Sequence, residues 1–144
     1  MKTFKLFIIP VIIMFSTVIY GQKKYQITDI QILDDNNLEI ELSKKFKKLL
    51  GTTIDITELD NSLIVESGNG DRTIYKKESS SLRTRVYTLN TDVTNFYHDK
   101  SKFTIHLYPF TNEFEIKTIR YWKNVNTGEL GKKDETSIIK GKEL

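Results

Sequence analysis

Thr52-Thr-Ile-Asp-Ile-Thr-Glu-Leu59, Leu63-Ile-Val-Glu-Ser67 and Arg72-Thr-Ile-Tyr-Lys-Lys77 follow one another with only Asp60-Asn-Ser62 and Gly68-Asn-Gly-Asp71 between them. Short strand-forming runs separated by turn-forming residues are the text of antiparallel β-structure. The rhythm continues downstream through Arg83 to Leu89, Val93 to His98, Phe103 to Tyr108 and Phe114 to Lys123. The breaks there are Glu78 to Leu82, Asn90 to Asp92, Asp99 to Lys102 and Pro109 to Glu113. No long helical pattern intervenes, which argues against a parallel α/β sheet and for a barrel or a sandwich.

Upstream, Leu38-Glu-Ile-Glu-Leu42 alternates with period two, the pattern of a half-buried strand. Tyr25 to Leu33 changes face midway: Tyr25 and Ile27 share one parity and Ile30 and Ile32 the other, so a bulge is expected near Thr28–Asp29. Asp34-Asp-Asn-Asn37 reads as the turn between these two runs. One short helix is expected from Lys44 to Leu50, capped by Ser43 and stopped by Gly51. Its Phe46, Leu49 and Leu50 would face the protein and its four lysines the solvent. Residues 124–144 are richer in Gly and charge and read as a polar tail or an edge hairpin through Asn126-Thr-Gly128.

The start of the chain reads as an address. Lys2 and Lys5 precede the apolar run Leu6 to Tyr20, small Gly21 follows, and the text turns polar from Gln22. That is the order of a secretory signal, with cleavage expected between Gly21 and Gln22. The run is short for a spanning helix and contains Pro10 and Ser16, so no membrane span is expected after cleavage. The expected location is periplasmic or secreted. The chain has no cysteine, so neither disulfides nor a lipid-anchored cysteine is available. The whole chain carries 22 Lys+Arg and 19 Asp+Glu. Two of the lysines leave with the signal, so basicity gives no case for a nucleic-acid partner.

Reactive constellations are sparse. Gly-x-Ser-x-Gly is absent, and Ser79-Ser-Ser81 lacks a base at a defined offset. Asp34-Asp35 belongs to a turn, and Glu39 and Glu41 to the solvent face of a strand. The only two histidines diverge. In a hairpin through Asp99–Lys102, Phe103 would pair with His98 and Ile105 with Phe96, leaving His106 on the opposite face. No joint metal site, cofactor or catalytic activity is expected from these residues.

Aromatic residues supply the remaining signal: Phe96-Tyr97, Phe103, Tyr108-Pro109-Phe110, Phe114 and Tyr121-Trp122 all fall in the later half. Tyr and Trp offer an apolar body and a polar tip, which suits a pocket wall. Phe96, His98, Phe103, Ile105 and Trp122 are the candidate ligand-binding residues.

The run Phe46, Leu49-Leu50-Gly51-Thr52-Thr53, the meander to Lys123 and Arg120-Tyr121-Trp122 near its end together resemble lipocalin-like exported domains. The family's Gly-x-Trp would place Trp at position 53, where this chain has Thr53. The resemblance covers Ser43 to Lys123 and implies a closed barrel that holds a lipophilic small molecule. The expected architecture is all-β: a signal at 1–21, then one antiparallel meander over 22–123 closing into a barrel, or forming a sandwich, with one short helix. The expected function is a non-catalytic exported binding domain holding a small apolar ligand. The alternative is a cell-envelope interaction or structural module whose protein partner docks on a sheet edge or on the lysine-bearing helix.

Overall fold

The computed structural model describes residues 20–92, 99–123, 127 and 130–144. Nine strands and one helix follow in order. They are β1 (Tyr20–Leu33), β2 (Glu39–Ile40), α1 (Lys44–Lys47), β3 (Thr53–Glu58), β4 (Ser62–Ser67) and β5 (Arg72–Ser80), then β6 (Arg85–Asp92), β7 (Asp99–Tyr108), β8 (Glu113–Lys123) and β9 (Leu130–Glu143). Strands β3 to β9 form an antiparallel meander, and β1 pairs with both β3 and β9, so eight strands close into a barrel. Of the two expected architectures, the barrel is the one adopted.

The bulge expected near Thr28–Asp29 is present as a register shift between Ile27 and Asp29 in the β1–β9 ladder. It lets both halves of β1 point apolar residues inward: Tyr25, Ile27, Ile30 and Ile32 are all buried. Ser43 caps α1, accepting from the Phe46 amide, and Gly51 takes the left-handed conformation with φ 79°. Leu42, Phe46 and Leu49 lean on the core from that side.

An eight-stranded barrel has an interior about wide enough for side chains to fill. Here Leu63, Tyr87, Ile105 and Phe114 fill its waist and are essentially inaccessible. The Phe114 ring meets Tyr25 edge-on at 5.4 Å between centroids.

Several expectations are corrected. From Leu130 to Glu143 the chain is not a tail: β9 pairs antiparallel with β8, as in the expected hairpin, but also with β1, so it is a full stave and not an edge. It is rich in charged residues, which the ladder accepts since backbone groups alone make its bonds. The β-domain therefore runs to Glu143. Leu38 to Leu42 is not a half-buried strand: β2 has two residues, and Leu38 and Ile40 are exposed. β2 lies outside the closed ring, on the flank of β1, and so has no interior to face.

Asn90–Asp92 and Asp99–Lys102 are strand and not turn, since the β6–β7 ladder runs from Arg85↔Leu107 to Asp92↔Lys100. Ile105 accordingly faces Tyr87 and Phe103 faces Leu89, in place of the expected Phe96 and His98. The strand expected at Val93–His98 lies outside the described residues, as does the signal up to residue 19. The expected cut after Gly21 falls within β1, two residues from its start.

Burial has a consequence for stability at alkaline pH. It pushes the Tyr75 phenol up to about 12 and, aided by Glu143 and Glu58, does the same for Tyr25. In the unfolded chain both ionise near the ordinary value of 10. Both folded values are raised, so this contribution is complete below pH 10 and is lost as pH climbs towards 12. The expected fall is about 1.4 kcal/mol per pH unit for each tyrosine. Urea midpoints measured from pH 9 upward check this, and Tyr75→Phe should flatten the decline; an equally steep decline in that variant would refute it.

Candidate functional site

The barrel has two ends. At one lie the β3–β4, β5–β6 and β7–β8 turns with the start of β1; at the other lie α1 and the β4–β5 turn. The three sequence-based candidates among the described residues, Phe103, Ile105 and Trp122, belong to the waist and the end away from the β7–β8 turn. Ile105 is wholly buried at the waist, and Phe103 packs partly buried against the core. Trp122 is 46% exposed near the end of β8, opposite Asp99. Phe96 and His98 lie outside the described residues. His106 faces outward beside Tyr108, with Nδ1 3.3 Å from the phenol oxygen.

The opposite end, the mouth, holds a constellation that the sequence reading did not pick out. Glu58 is the last residue of β3 and shares the inward parity of Ile54 and Ile56. The ladder registers bring it near β6, where Arg85 and Tyr87 share the inward parity. Arg85 Nη1 donates to Glu58 Oε2 at 2.5 Å, and Tyr87 OH donates to Glu58 Oε1 at 2.5 Å. Lys77 Nζ stands 5.7 Å from the centre of the Tyr87 ring and donates to the Asp60 carbonyl. Lys23 at the rim pairs with Glu143 at 2.8 Å.

Above this network the barrel opens into a pocket of about 250 Å³. Tyr25, Ile56 and Leu107 give it an apolar floor; Glu58 and Arg85 give it charge; Lys23, Tyr108, Pro109 and Asn112 form its rim. Burial raises the Tyr108 phenol above its ordinary value, with Glu115 and Glu113 adding to the shift. The phenol is therefore a hydrogen-bond donor at neutral pH. An apolar floor with a few convergent polar groups is the usual make-up of a small-molecule site.

A wider depression of about 690 Å³ lies at the α1 end between Leu49, Thr53, Ile54 and the β4–β5 turn. Its polar groups close on one another: Asn69 Nδ2 donates to Asp71 at 2.8 Å, and Ser67 Oγ pairs with Asn69. On β8, Arg120 is held by Asp134 at 2.7 Å and by Glu135 at 3.4 Å. Among the described residues no group of three or more His, Asp or Glu side chains is placed to hold a metal ion, and no helix is long and apolar enough to cross a membrane.

No family model, no curated protein and no solved structure matches this chain.

Proposed function

We propose that the chain is an exported, non-catalytic binding domain that takes a small amphiphile at the mouth of its barrel. The observation that carries this reading is the pocket over Tyr25, Ile56 and Leu107 with the Glu58–Arg85 pair in its wall. The ligand sits at the mouth and not deep inside, because Leu63, Tyr87, Ile105 and Phe114 occupy the waist. A space of 250 Å³ corresponds to roughly eight water molecules, so the occupant is short. Lys23 and Arg85, paired with Glu143 and Glu58, put two cationic donors at the opening that a carboxylate head can share. A lipocalin-like resemblance in the meander after α1 agrees with a small-molecule role, although fold alone does not assign function.

Octanoate is a suitable probe. Calorimetric titration should detect its binding, and Pro109→Trp, which places an indole over the rim, should weaken it by about tenfold, a loss near 1.4 kcal/mol. Trp122→Phe at the far end should leave it unchanged. Equal affinity in native protein and Pro109→Trp would overturn the mouth as the site.

A further inference from the structure

We infer that the amphiphile held at the mouth is a short peptide ending in an apolar residue with a free carboxylate, its backbone hydrogen-bonded to the open edge of β1 at Gln22. The inference rests on the mouth pocket as the binding site and names the class of ligand it takes. The edge is open because β1 overshoots β9. β1 pairs with β3 from Tyr20 to Gln26, whereas its ladder with β9 begins only at Tyr25, opposite Glu143. The last bond on that side is the Leu144 amide donating to the Lys24 carbonyl at 3.0 Å. Backbone groups along an antiparallel strand face its two neighbours in alternation. Lys24 faces the β9 side, and so does Gln22, beyond the point where any strand among the described residues pairs with it. Ile27, an odd step away, faces the other side, and its amide donates to the Thr52 carbonyl at 2.9 Å. Gln22 therefore turns one N–H and one C=O into the gap between β1 and the β7–β8 turn. That gap is the pocket: Gly21 and Lys23 line it from one side, Pro109 and Asn112 from the other.

The open edge selects the ligand. A fatty acid leaves both Gln22 backbone groups to water, whereas one peptide residue pairs with both, as in strand addition. Laid antiparallel to β1, as β9 is, the ligand sets its penultimate residue opposite Gln22. Gly21, Lys23 and Tyr25 line the pocket, so Gln22 points its side chain outward, and the residue opposite it does the same. The last side chain then turns inward over Tyr25, Ile56 and Leu107. Gly21 leaves room for it, since a β-carbon built there would meet nothing within 4 Å. Glu58 lies opposite Tyr20, which brings its partner Arg85 to the level of the ligand's terminal carboxylate. Leu144 already occupies the place opposite Lys24, so the slot is short and takes only the end of a chain. On the export reading, cleavage after Gly21 leaves the Gln22 nitrogen as an α-ammonium that still donates into the gap.

The test titrates the purified full-length gene product, its mass recorded, in a calorimeter with acetyl-Ala-Thr-Leu and with octanoate. Two altered peptides accompany them: an ester analogue in which oxygen replaces the threonine N–H, and a form amidated at the C-terminus. The unmodified peptide should bind, octanoate should displace it, and Pro109→Trp should weaken it about tenfold. The ester should bind about fivefold to tenfold more weakly, because it has no proton to give the Gln22 carbonyl. Amidation should weaken binding by about tenfold or more, through loss of the charge that meets Arg85. An ester that binds as well as the peptide, amidation without effect, or a peptide that octanoate does not displace would each overturn the inference. Octanoate bound without the peptide would overturn it and leave the mouth reading standing. Failure of both ligands to bind would overturn the two together.

Discussion

Gly141→Ala should destabilise the barrel by about 3 kcal/mol or more, beyond the usual cost of one added methyl. Gly141 lies in β9 opposite Phe114 on one side and Ile27 on the other. A β-carbon built there would sit 2.3 Å from Phe114 Cε1 and 2.4 Å from the Gln26 carbonyl oxygen. The ring could turn only by giving up its edge contact with Tyr25, and the carbonyl could move only with β1. Glycine is required here for space, because the Phe114 ring occupies the volume that a side chain on β9 would fill. Urea unfolding monitored by circular dichroism measures the loss. Gly141→Ala/Phe114→Leu should recover part of it, since the smaller side chain frees the ring's position while the Gln26 contact remains. A midpoint unchanged in Gly141→Ala would show that Phe114 does not cover this glycine and that β9 is seated differently.

Glu58→Ala should cost about 2–3 kcal/mol, at or just below the lower limit of the roughly 3–5 kcal/mol for breaking a fully buried ion pair. The Arg85 side chain retains 28% exposure, so water offsets part of the loss, while the Glu58 side chain is only 11% exposed. The variant removes the carboxylate that accepts from both Arg85 and Tyr87. Replacing both charges together, as Glu58→Leu/Arg85→Leu, should cost less than Glu58→Ala alone, because no guanidinium then faces the barrel interior without its carboxylate. Urea midpoints for Glu58→Leu, Arg85→Leu and the double variant form the cycle. A double variant as unstable as the sum of the singles would mean that the pair is not coupled inside the barrel.

The all-β class was legible because turn residues punctuate short apolar runs at even spacing from Thr52 to Lys123. The β1 bulge was legible from the change of parity between Ile27 and Ile30, and the helix start from Ser43; the helix ends at Lys47, short of the expected Leu50, which is exposed instead of facing the core. Closure by β9 was not. Its core-side text is Ile139, Ser137 and Gly141, which lacks the alternating hydrophobic signal, and strand status there comes from neighbours on both sides. β2 misled in the opposite way: Leu38, Ile40 and Leu42 alternate well, yet the strand lies outside the ring.

The mouth network had a readable trace. Glu58 follows Ile54 and Ile56 at inward parity, and Arg85 precedes Tyr87 and Leu89 in the same way. A charge on the apolar face of a strand is a local contradiction, and such contradictions tend to mark functional or strained positions. Aromatic density drew attention to the other end because it marks core and rim alike. Phe103 and Leu107 share one face of β7 but lie ~13 Å apart along it. Parity therefore grouped residues whose depth in the barrel differs.

The most direct test of ligand binding at the mouth is a two-dimensional amide spectrum of the isotopically labelled protein titrated with octanoate. The expected result is that the amides of Tyr25, Ile56, Glu58, Leu107 and Tyr108 move with saturation while those of Phe103 and Trp122 stay in place. Movement confined to Phe103, Trp122 and the α1 end, or no movement at saturating octanoate, would contradict it.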